Sequence, residues 1–248
     1  LLKTGYEGEV IATRRHVERL VELEGLGATI TSDNRMAAEK ADIIVVCVKP
    51  KDVEKVLTEI KEKADGKLII SFAAATGLNL LKRVVPEARF VRAMPNLAIL
   101  VQESFTAYCA DSDVTQEDKE KAENIMNRLG TAIEIEQRHM DAITALSGCA
   151  PAYLSVVLEA LTYAGLEAGL PRDIALLSAA QSMVGTGRLI SEAEKHPAEI
   201  RDMVTTPGGV TIEGLQELEK FPIRHAFMMA VKAAMSKSRR ISELLNKS

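Results

Sequence analysis

Short runs of β-branched residues alternate with amphipathic stretches over residues 9–136, and this alternation restricts the possible folds more than any other feature of the sequence. It predicts βαβ units and a mostly parallel sheet. Residues 43–48 are continuously apolar, so we expect their strand to be central and covered on both faces. Residues 115–130 have helical spacing and end in Gly130, which predicts a helix that Gly130 stops. The predicted strands are residues 9–13, 28–31, 42–49, 67–73, 90–93, 104–109 and 132–135.

Strand signals vanish after residue 136, and the remaining chain is predicted to be helical. We therefore expect an α/β domain over residues 1–136 and an all-helical domain over residues 137–248. Pro151 is predicted to start a helix, with Ser147 breaking the chain before it. Small residues along this helix, including Gly165, would let another helix approach closely. A helical segment this rich in small residues is not expected to bury a large core alone, so we expect it to pair with a second copy.

Composition argues against several classes of protein. A net charge of −4, no Trp, four Tyr and five Phe provide little for binding nucleic acid. The longest apolar runs, such as residues 43–48, fall short of the ~20 residues of a membrane helix, and no leader is evident. Three widely spaced cysteines and isolated histidines favour neither disulfides nor a metal site. We expect a soluble protein in the reducing cytoplasm, with no metal.

Two motifs follow predicted strands at their carboxyl ends, where parallel sheets bind ligands. Val48, Lys49 and Pro50 follow the most apolar strand. Residues 92–96 end another strand, with Pro95 stopping it and Asn96 offering amide groups. Either motif alone is also compatible with an ordinary solvated turn.

A third motif, residues 204–211, precedes a predicted helix. Gly208 and Gly209 let the backbone approach a ligand, and the helix N-terminus presents free N–H groups. A small carboxylate would bind there, and the hydroxyls of Thr206 and Thr211 could donate to it or to a nitrogen. The alternative is an ordinary helix start that Thr211 merely caps.

Together these motifs resemble those of the pyrroline-5-carboxylate reductase family over essentially the whole chain. The matching segments are residues 42–50, 92–96, 141–153 and 204–211, of which the last is close to a family signature. The resemblance implies a Rossmann-type α/β domain and a helical domain that forms a homodimer or a larger homo-oligomer. It also implies NAD(P)H-dependent reduction of pyrroline-5-carboxylate to L-proline.

The resemblance also implies roles for individual residues. Thr211 would be the catalytic contact, with its hydroxyl bonded to the ring nitrogen of the substrate. The substrate carboxylate would lie against Val204, Thr205, Thr206, Pro207, Gly208, Gly209 and Val210. The cofactor would lie against Arg14, Arg15, Asn34, Val48, Lys49, Pro50, Ala73, Ala74, Met94, Pro95 and Asn96.

The end of the first strand favours NADPH over NADH, although NADH stays possible. An acidic residue at this position binds the ribose hydroxyl of NAD, whereas arginine accommodates the 2′-phosphate of NADP. Residues 9–13 run directly into Arg14 and Arg15, with no acidic residue between them. Asn34 matches a family asparagine near the adenosine ribose. The alternative is that both arginines begin a solvated helix.

Some features depart from the family pattern. Ala75, Gln102 and Ser104 stand where family members usually have glycine. A dinucleotide-binding domain begins with a strand and a Gly-x-Gly-x-x-Gly loop, and we expect these to precede Leu1. Two other functions stay open: another small imine or keto-acid reductase of the same two-domain plan, and a non-catalytic oligomeric homologue.

Overall fold

A computed structural model describes residues 1–247 and contains two compact units. The first unit comprises Leu1–Cys149 and the end of the chain from Lys232, and the second comprises Ala150–Val231. The predicted domain boundary at residue 136 lies just after the last strand, which ends at Glu134. By their contacts, however, residues 137–149 and the last part of the chain group with the α/β unit. Met140, for example, is buried in the same core as Phe90.

All seven predicted strands are present, with shifted ends. They are β1 (Ile11–Thr13), β2 (Thr29–Thr31), β3 (Ile43–Val46), β4 (Leu68–Ser71), β5 (Arg89–Met94), β6 (Ser104–Ala110) and β7 (Gly130–Glu134). Strands β3 to β7 form one sheet in sequence order, parallel except between β5 and β6. Strands β1 and β2 form a separate parallel pair. The predicted mostly parallel α/β architecture is confirmed.

The prediction that the most apolar strand is central is wrong. Strand β3 pairs only with β4 among the described residues, and Val45 is 37% exposed. The strand also ends at Val46, before the expected Lys49. The reason is that β1 and β2 pair with each other, so that no described strand covers the outer edge of β3.

Six helices belong to the α/β unit. They are α1 (Val21–Glu24), α2 (Asn34–Lys40), α3 (Pro50–Ala64), α4 (Leu78–Val84), α5 (Gln116–Asn127) and α6 (Met140–Ile143). Two of them, α2 and α5, are capped by side chains at their N-termini. The carboxylate of Asp33 accepts from Met36 N–H at the start of α2, and Thr115 and Asp118 form a capping box on α5. Lys67 Nζ donates to the last carbonyls of α2, those of Ala38, Glu39 and Ala41, at 2.7–2.8 Å.

Both faces of the five-stranded sheet are covered. On one face α3 and α4 bury Leu57 and Leu81 against Phe90. On the other face α5 buries Met126 against Tyr108. Phe90 and Tyr108 are among the largest fully buried side chains of the described residues. Continuous apolar strands are expected where both faces of a sheet are covered in this way.

Gly130 does not stop α5, contrary to the prediction. The helix ends at Asn127, and Gly130 is the first residue of β7, with a φ of 140°. A Cβ atom at this position would lie 2.0 Å from the carbonyl oxygen of Ser104 on β6. Gly130 is therefore required for the close approach of two strands, not for a helix cap.

Five further helices follow: α7 (Ala150–Glu167), α8 (Arg172–Ser191), α9 (Pro197–Met203), α10 (Val210–Glu219) and α11 (Ile223–Lys247). Helices α7 and α8 pack as an antiparallel hairpin, in which a Cβ on Gly165 would lie 2.8 Å from that of Ala175. The close helix contact predicted at Gly165 therefore occurs within one chain.

The break predicted at Ser147 takes the form of an irregular turn. The chain stays helical overall from Gln137 to Glu167, but α6 ends at Ile143, a π-helical turn covers Thr144–Gly148, and α7 begins at Ala150. Proline has no N–H and its ring clashes with the preceding turn of an α-helix. A widened turn accommodates both effects without ending the helix.

The same helix is long and apolar enough to cross a membrane, by length and composition alone. The apolar runs in the sequence are shorter than a membrane helix, because Thr, Ser and Gly interrupt the apolar residues of this helix. Only 6% of its most apolar window is buried in this chain. A large apolar surface is therefore left for a partner to cover.

Candidate active site

The carboxyl ends of β3, β4 and β5 bring three predicted cofactor segments to one edge of the sheet. Val48 is partly buried and Lys49 is exposed. Pro50 follows them as the first residue of α3. Phe72 N–H bonds to Val46 carbonyl at 2.9 Å, which places the buried Ala73 and the adjoining Ala74 beside β3. Neighbouring parallel strands thus present these backbone segments together, as a dinucleotide site requires.

Asn96 orders the turn that follows β5. Its side-chain oxygen accepts from Ala98 N–H at 3.0 Å, and its side-chain nitrogen donates to Ser147 Oγ at 3.2 Å. Its backbone N–H donates to Ser104 Oγ at 3.0 Å. Met94 and Pro95 are partly buried in the same turn. The side chain of Asn96 is thus engaged within the protein, and it is suited to shape the cofactor surface rather than to bind through a free amide.

Two of the departures from the family pattern occupy the left-handed backbone region. Ala75 has a φ of 59° after β4, and Gln102 has a φ of 60° after the short helix that follows Asn96. Glycine adopts this conformation without steric cost, whereas other residues do not. The backbone has therefore kept the conformation typical of glycine at both positions, next to the predicted cofactor segments.

Arg14 and Arg15 follow β1 and are exposed. Arg14 N–H bonds to Thr31 carbonyl at 3.1 Å, which fixes the backbone here against β2. Neither guanidinium has an ion-pair partner among residues 1–247. Asn34 begins α2 and donates to Glu59 Oε2 at 3.1 Å. Two unpaired cations at this strand end fit an anionic group such as a 2′-phosphate.

The predicted substrate segment forms a tight turn in the other unit. Gly209 N–H bonds to Thr206 carbonyl at 3.0 Å, with Pro207 and Gly208 between them. Gly208 has a φ of 69°, and a Cβ on Gly209 would lie 2.4 Å from Thr206 Oγ1. Both glycines are therefore required by the turn. The turn leads directly into α10. The first N–H groups of α10 have no partner inside the helix, so they are free to bind an anion at the end of this turn.

Thr211 is not the cap of this helix. The N-cap residue is Gly209, and no side chain caps the helix. The hydroxyl of Thr211 has no hydrogen-bond partner within the described part of the chain. Val204 and Val210 nearby are exposed, Val210 by 90%. The loop consequently offers backbone N–H groups and two free hydroxyls, those of Thr206 and Thr211, to a ligand. By contrast, the hydroxyl of Thr205 is used by Arg201 carbonyl at 2.6 Å.

Cys47 and Cys109 of the α/β unit are not activated. Burial raises the pKa of the Cys109 thiol to about 11, and burial also raises the pKa of Cys47. A nucleophilic cysteine requires a lowered pKa. No group of three His, Cys, Asp or Glu side chains that could hold a metal ion occurs within residues 1–247. Hydride transfer, which requires neither group, remains compatible with these residues.

Comparison with known proteins identifies the family. Residues 137–241 match the family model for pyrroline-5-carboxylate reductase dimerisation, and residues 1–75 match that for NADP oxidoreductase, coenzyme F420-dependent. A pyrroline-5-carboxylate reductase of Synechocystis is 38% identical over 86% of this chain and 80% of its own length. That of Arabidopsis thaliana is 36% identical over 94% and 84%, respectively. The chain belongs to the pyrroline-5-carboxylate reductase family.

Solved structures of the family have the same fold. The pyrroline-5-carboxylate reductase of Coxiella burnetii superposes with a TM-score of 0.91 at 32% identity and covers 97% of this chain and 92% of its own. The Plasmodium falciparum enzyme, solved with NADP bound, has a TM-score of 0.80 at 34% identity, over 87% and 82%. The predicted family is confirmed, as is the prediction of a Rossmann-type domain followed by a helical dimerisation domain. This family member has the fold of a pyridine-nucleotide-dependent oxidoreductase.

Proposed function

We propose that the chain reduces the C=N bond of pyrroline-5-carboxylate to give L-proline, the last step of proline biosynthesis. The observation that carries this proposal is the free hydroxyl of Thr211 at the start of α10, behind a turn built from Pro207, Gly208 and Gly209. Family membership supports the same substrate, since the relatives named above are pyrroline-5-carboxylate reductases. Reduction of the C=N bond adds a hydride, from the cofactor, to the carbon and a proton, from solvent, to the nitrogen, and it needs neither a nucleophile nor a metal ion.

The loop at residues 204–210 binds the substrate carboxylate through its backbone. The first N–H groups of α10 have no partner inside the helix and carry the positive end of its dipole. Thr211, the second residue of the same helix, donates its hydroxyl to the ring nitrogen. This contact orients the C=N bond and offsets charge that changes at nitrogen during reduction.

The α/β unit binds the cofactor, with NADPH preferred and NADH used less well. Bound NADPH supplies the hydride. Arg14 and Arg15 pair with the 2′-phosphate, and Asn34 adds a contact near the ribose. The remaining contacts come from the edge of the sheet, at Val48, Lys49, Pro50, Ala73, Ala74, Met94, Pro95 and Asn96.

We further propose that the helical domain assembles the chain into a homodimer or a larger homo-oligomer. Large apolar side chains are exposed on α7 and α8, among them Val156, Leu161, Leu176, Leu177 and Val184. Soluble monomers rarely expose so many large apolar side chains together. The family model that covers residues 137–241 is named for dimerisation, which supports the proposal. Location in the cytoplasm and the absence of nucleic-acid or membrane partners stay predictions.

The test is NADPH oxidation with pyrroline-5-carboxylate by wild type and by Thr211→Ala. Loss of one hydrogen bond in the transition state should lower kcat by roughly 10- to 100-fold, while the Kd for NADPH changes by less than about twofold. Thr211→Ser retains the hydroxyl and should restore turnover. Thr186→Ala, which removes a hydroxyl bonded only to Ser182 carbonyl, is the matched control.

Unchanged turnover in Thr211→Ala would contradict the assigned role. The assay is run on this chain and on a version with a family strand and glycine loop placed ahead of Leu1. Turnover by neither protein would overturn the proposed reaction and favour a non-catalytic homologue. Turnover with a keto acid but not with the cyclic imine would favour the other reductase.

A further inference from the structure

The two turns that follow β4 and β5 are both hydrogen-bonded to one segment that lies far along the chain. They are the β4 turn (residues 72–78) and the β5 turn (residues 95–98). The 137–148 segment that contacts them comprises a 3₁₀-helical turn, α6 and the π-helical turn at Thr144–Gly148. It belongs to the same compact unit as the sheet. The proposed reaction gives this segment no role.

The β5 turn is held by the π-helical turn. Asn96 donates its side-chain N–H to Ser147 Oγ at 3.2 Å, while its side-chain oxygen accepts from Ala98 N–H at 3.0 Å. The bond to Ser147 therefore fixes the orientation in which the side chain of Asn96 keeps the Ala98 amide bonded. A Cβ atom on Gly148 would lie 2.9 Å from the terminal methyl carbon of Met94. Glycine at position 148 thus lets the last residue of β5 pack against the π-helical turn.

The β4 turn is held by the other end of the same segment. The N-cap residue of α4 is Gly77, which has no side chain to cap the helix. Gln137 Oε1 accepts from Leu78 N–H at 3.1 Å instead, so that a residue 59 positions along the chain supplies the missing cap. The turn that this bond closes contains Ala75, with its φ of 59°. It also contains the predicted cofactor contacts Ala73 and Ala74.

The 137–148 segment is itself anchored in the α/β unit. Met140 and Ala145 are buried, and Met140 lies in the same core as Phe90. Asp141 Oδ1 accepts from the buried Ser238 Oγ on α11 at 2.7 Å. Side chains that are fixed by packing and by further hydrogen bonds can hold a site in one geometry. The segment therefore restricts the two turns rather than moving with them.

We propose that the 137–148 segment sets the relative position of the β4 and β5 turns for the cofactor. Gln137 and Ser147 are positioning residues, because Gln137 acts through Leu78 and Ser147 acts through Asn96. The two turns end neighbouring parallel strands, so their relative position shapes the surface on which a dinucleotide lies. This inference rests on the proposed function in taking NADPH as the ligand of these turns.

Amide hydrogen exchange of the full chain tests the two contacts without cofactor or turnover. Ser147→Ala should raise the exchange rate of the Ala98 amide by about fivefold or more and leave that of Leu78 unchanged, because only Asn96 loses a partner. Gln137→Ala should have the reverse effect on the same two amides. Ser147→Thr keeps the hydroxyl and Gln137→Glu keeps an acceptor oxygen, so both should stay within about twofold of wild type.

A fluorescence titration with NADPH tests the positioning role. Ser147→Ala and Gln137→Ala should each raise the Kd by about fivefold, because a loosened turn must then be ordered on binding. Ser147→Thr and Gln137→Glu should bind as wild type does. A purely structural role would instead lower the Tm of the two alanine variants and leave the Kd unchanged.

Two matched controls remove similar groups elsewhere. Ser155→Ala removes a hydroxyl that bonds to Pro151 carbonyl within α7 at 2.7 Å. Gln116→Ala removes an amide that bonds to Glu120 within α5 at 3.2 Å. Both should leave the Kd and the exchange of the Leu78 and Ala98 amides within about twofold of wild type.

Leu78 and Ala98 amides that stay protected in the alanine variants would overturn the proposal, as would an unchanged Kd in variants whose amides exchange faster. The two variants act on different turns, so either one decides the matter if the other does not fold. A chain that shows the predicted exchange but binds no NADPH, with or without the added strand and glycine loop, would refute the proposed function. The two contacts of the 137–148 segment would stand in that case.

Discussion

Ala75 and Gln102 adopt the same left-handed backbone conformation, but replacement by glycine should affect stability differently at the two positions. Both occupy the left-handed region, which costs a non-glycine residue about 1–2 kcal/mol. Glycine loses more conformational entropy on folding than other residues, which costs about 0.5–1 kcal/mol relative to alanine. The methyl group of Ala75 is buried and contributes roughly 0.8 kcal/mol, whereas the side chain of Gln102 is exposed. The balance therefore favours glycine only at position 102.

Gln102→Gly should stabilise the protein by about 0.5–1 kcal/mol, while Ala75→Gly should be close to neutral. For a chain of this size the gain corresponds to a rise in Tm of roughly 1–4 °C, measured by circular dichroism. Glu103→Gly, with an ordinary φ, is the control and should lower Tm. A lower Tm for Gln102→Gly would show that its backbone is not strained.

The choice of cofactor also lies at the residue scale. Arg14→Ala combined with Arg15→Ala should raise the KM for NADPH by at least about tenfold, because charged hydrogen bonds to the 2′-phosphate are lost. The KM for NADH should stay within about threefold, since NADH lacks that phosphate. Steady-state kinetics with both cofactors measures the difference. Arg19→Ala, an exposed arginine five residues beyond Arg14, is the control. Equal effects on the two cofactors would refute the assignment.

At the scale of elements, helix α5 is anchored through one buried carboxylate. Burial raises the pKa of Asp118, but hydrogen bonds from Arg89 and Thr115 outweigh it and leave the pKa below its ordinary value. A lowered folded-state pKa stabilises the protein above the unfolded-state pKa of about 3.9. That stabilisation is lost as pH falls through the folded-state value.

Asp118→Asn should lower the free energy of unfolding by about 1.5–3 kcal/mol at neutral pH, since a charged hydrogen-bonded pair is broken. Denaturant unfolding at a series of pH values measures it. The variant should also lose less stability than wild type on acidification below about pH 4. Glu117→Gln on the same helix removes only an exposed pair with Lys121 and should change stability by less than about 1 kcal/mol. A pH dependence unchanged in Asp118→Asn would contradict this account.

The sequence predicted each element where local pattern decides the outcome. Alternating and apolar runs located all seven strands, and helical spacing located α5. Errors occurred where distant contacts decide. Gly130 resembles a helix stop until the approach of Ser104 is known. The helix start predicted at Pro151 is confirmed, since α7 begins at Ala150, but the π-turn before it was not predicted. The edge position of β3 likewise depends on pairing with other strands.

The features of the site likewise divide into those that local residue patterns predict and those that depend on distant contacts. The segments at strand ends and the turn at residues 206–209 followed from residue type and position. Ser147, the hydrogen-bond partner of Asn96, lies 51 residues along the chain and has no local sequence signal.

At the scale of the whole molecule, the proposed homo-oligomer would cover the exposed apolar side chains of the helical unit. We expect sedimentation velocity at micromolar concentration to show a dimer or a larger assembly. Val156→Glu combined with Leu177→Glu should shift it toward monomer, because charges in an apolar interface are left uncompensated. Val101→Glu, equally exposed but in the α/β unit, is the control. A wild-type monomer of unchanged fold would exclude the proposed assembly.

The π-turn at Thr144–Gly148 can absorb the loss of one amino acid without a change in the face that α7 presents to α8. A π-turn contains one residue more than an α-turn for the same rotation about the helix axis. Deletion of one residue here would therefore leave a regular α-helix in which the residues from Pro151 onward keep their orientation. The same deletion within α7 would rotate every later side chain by about 100° about the helix axis. A one-residue gap should therefore have opposite consequences at the π-turn and within α7.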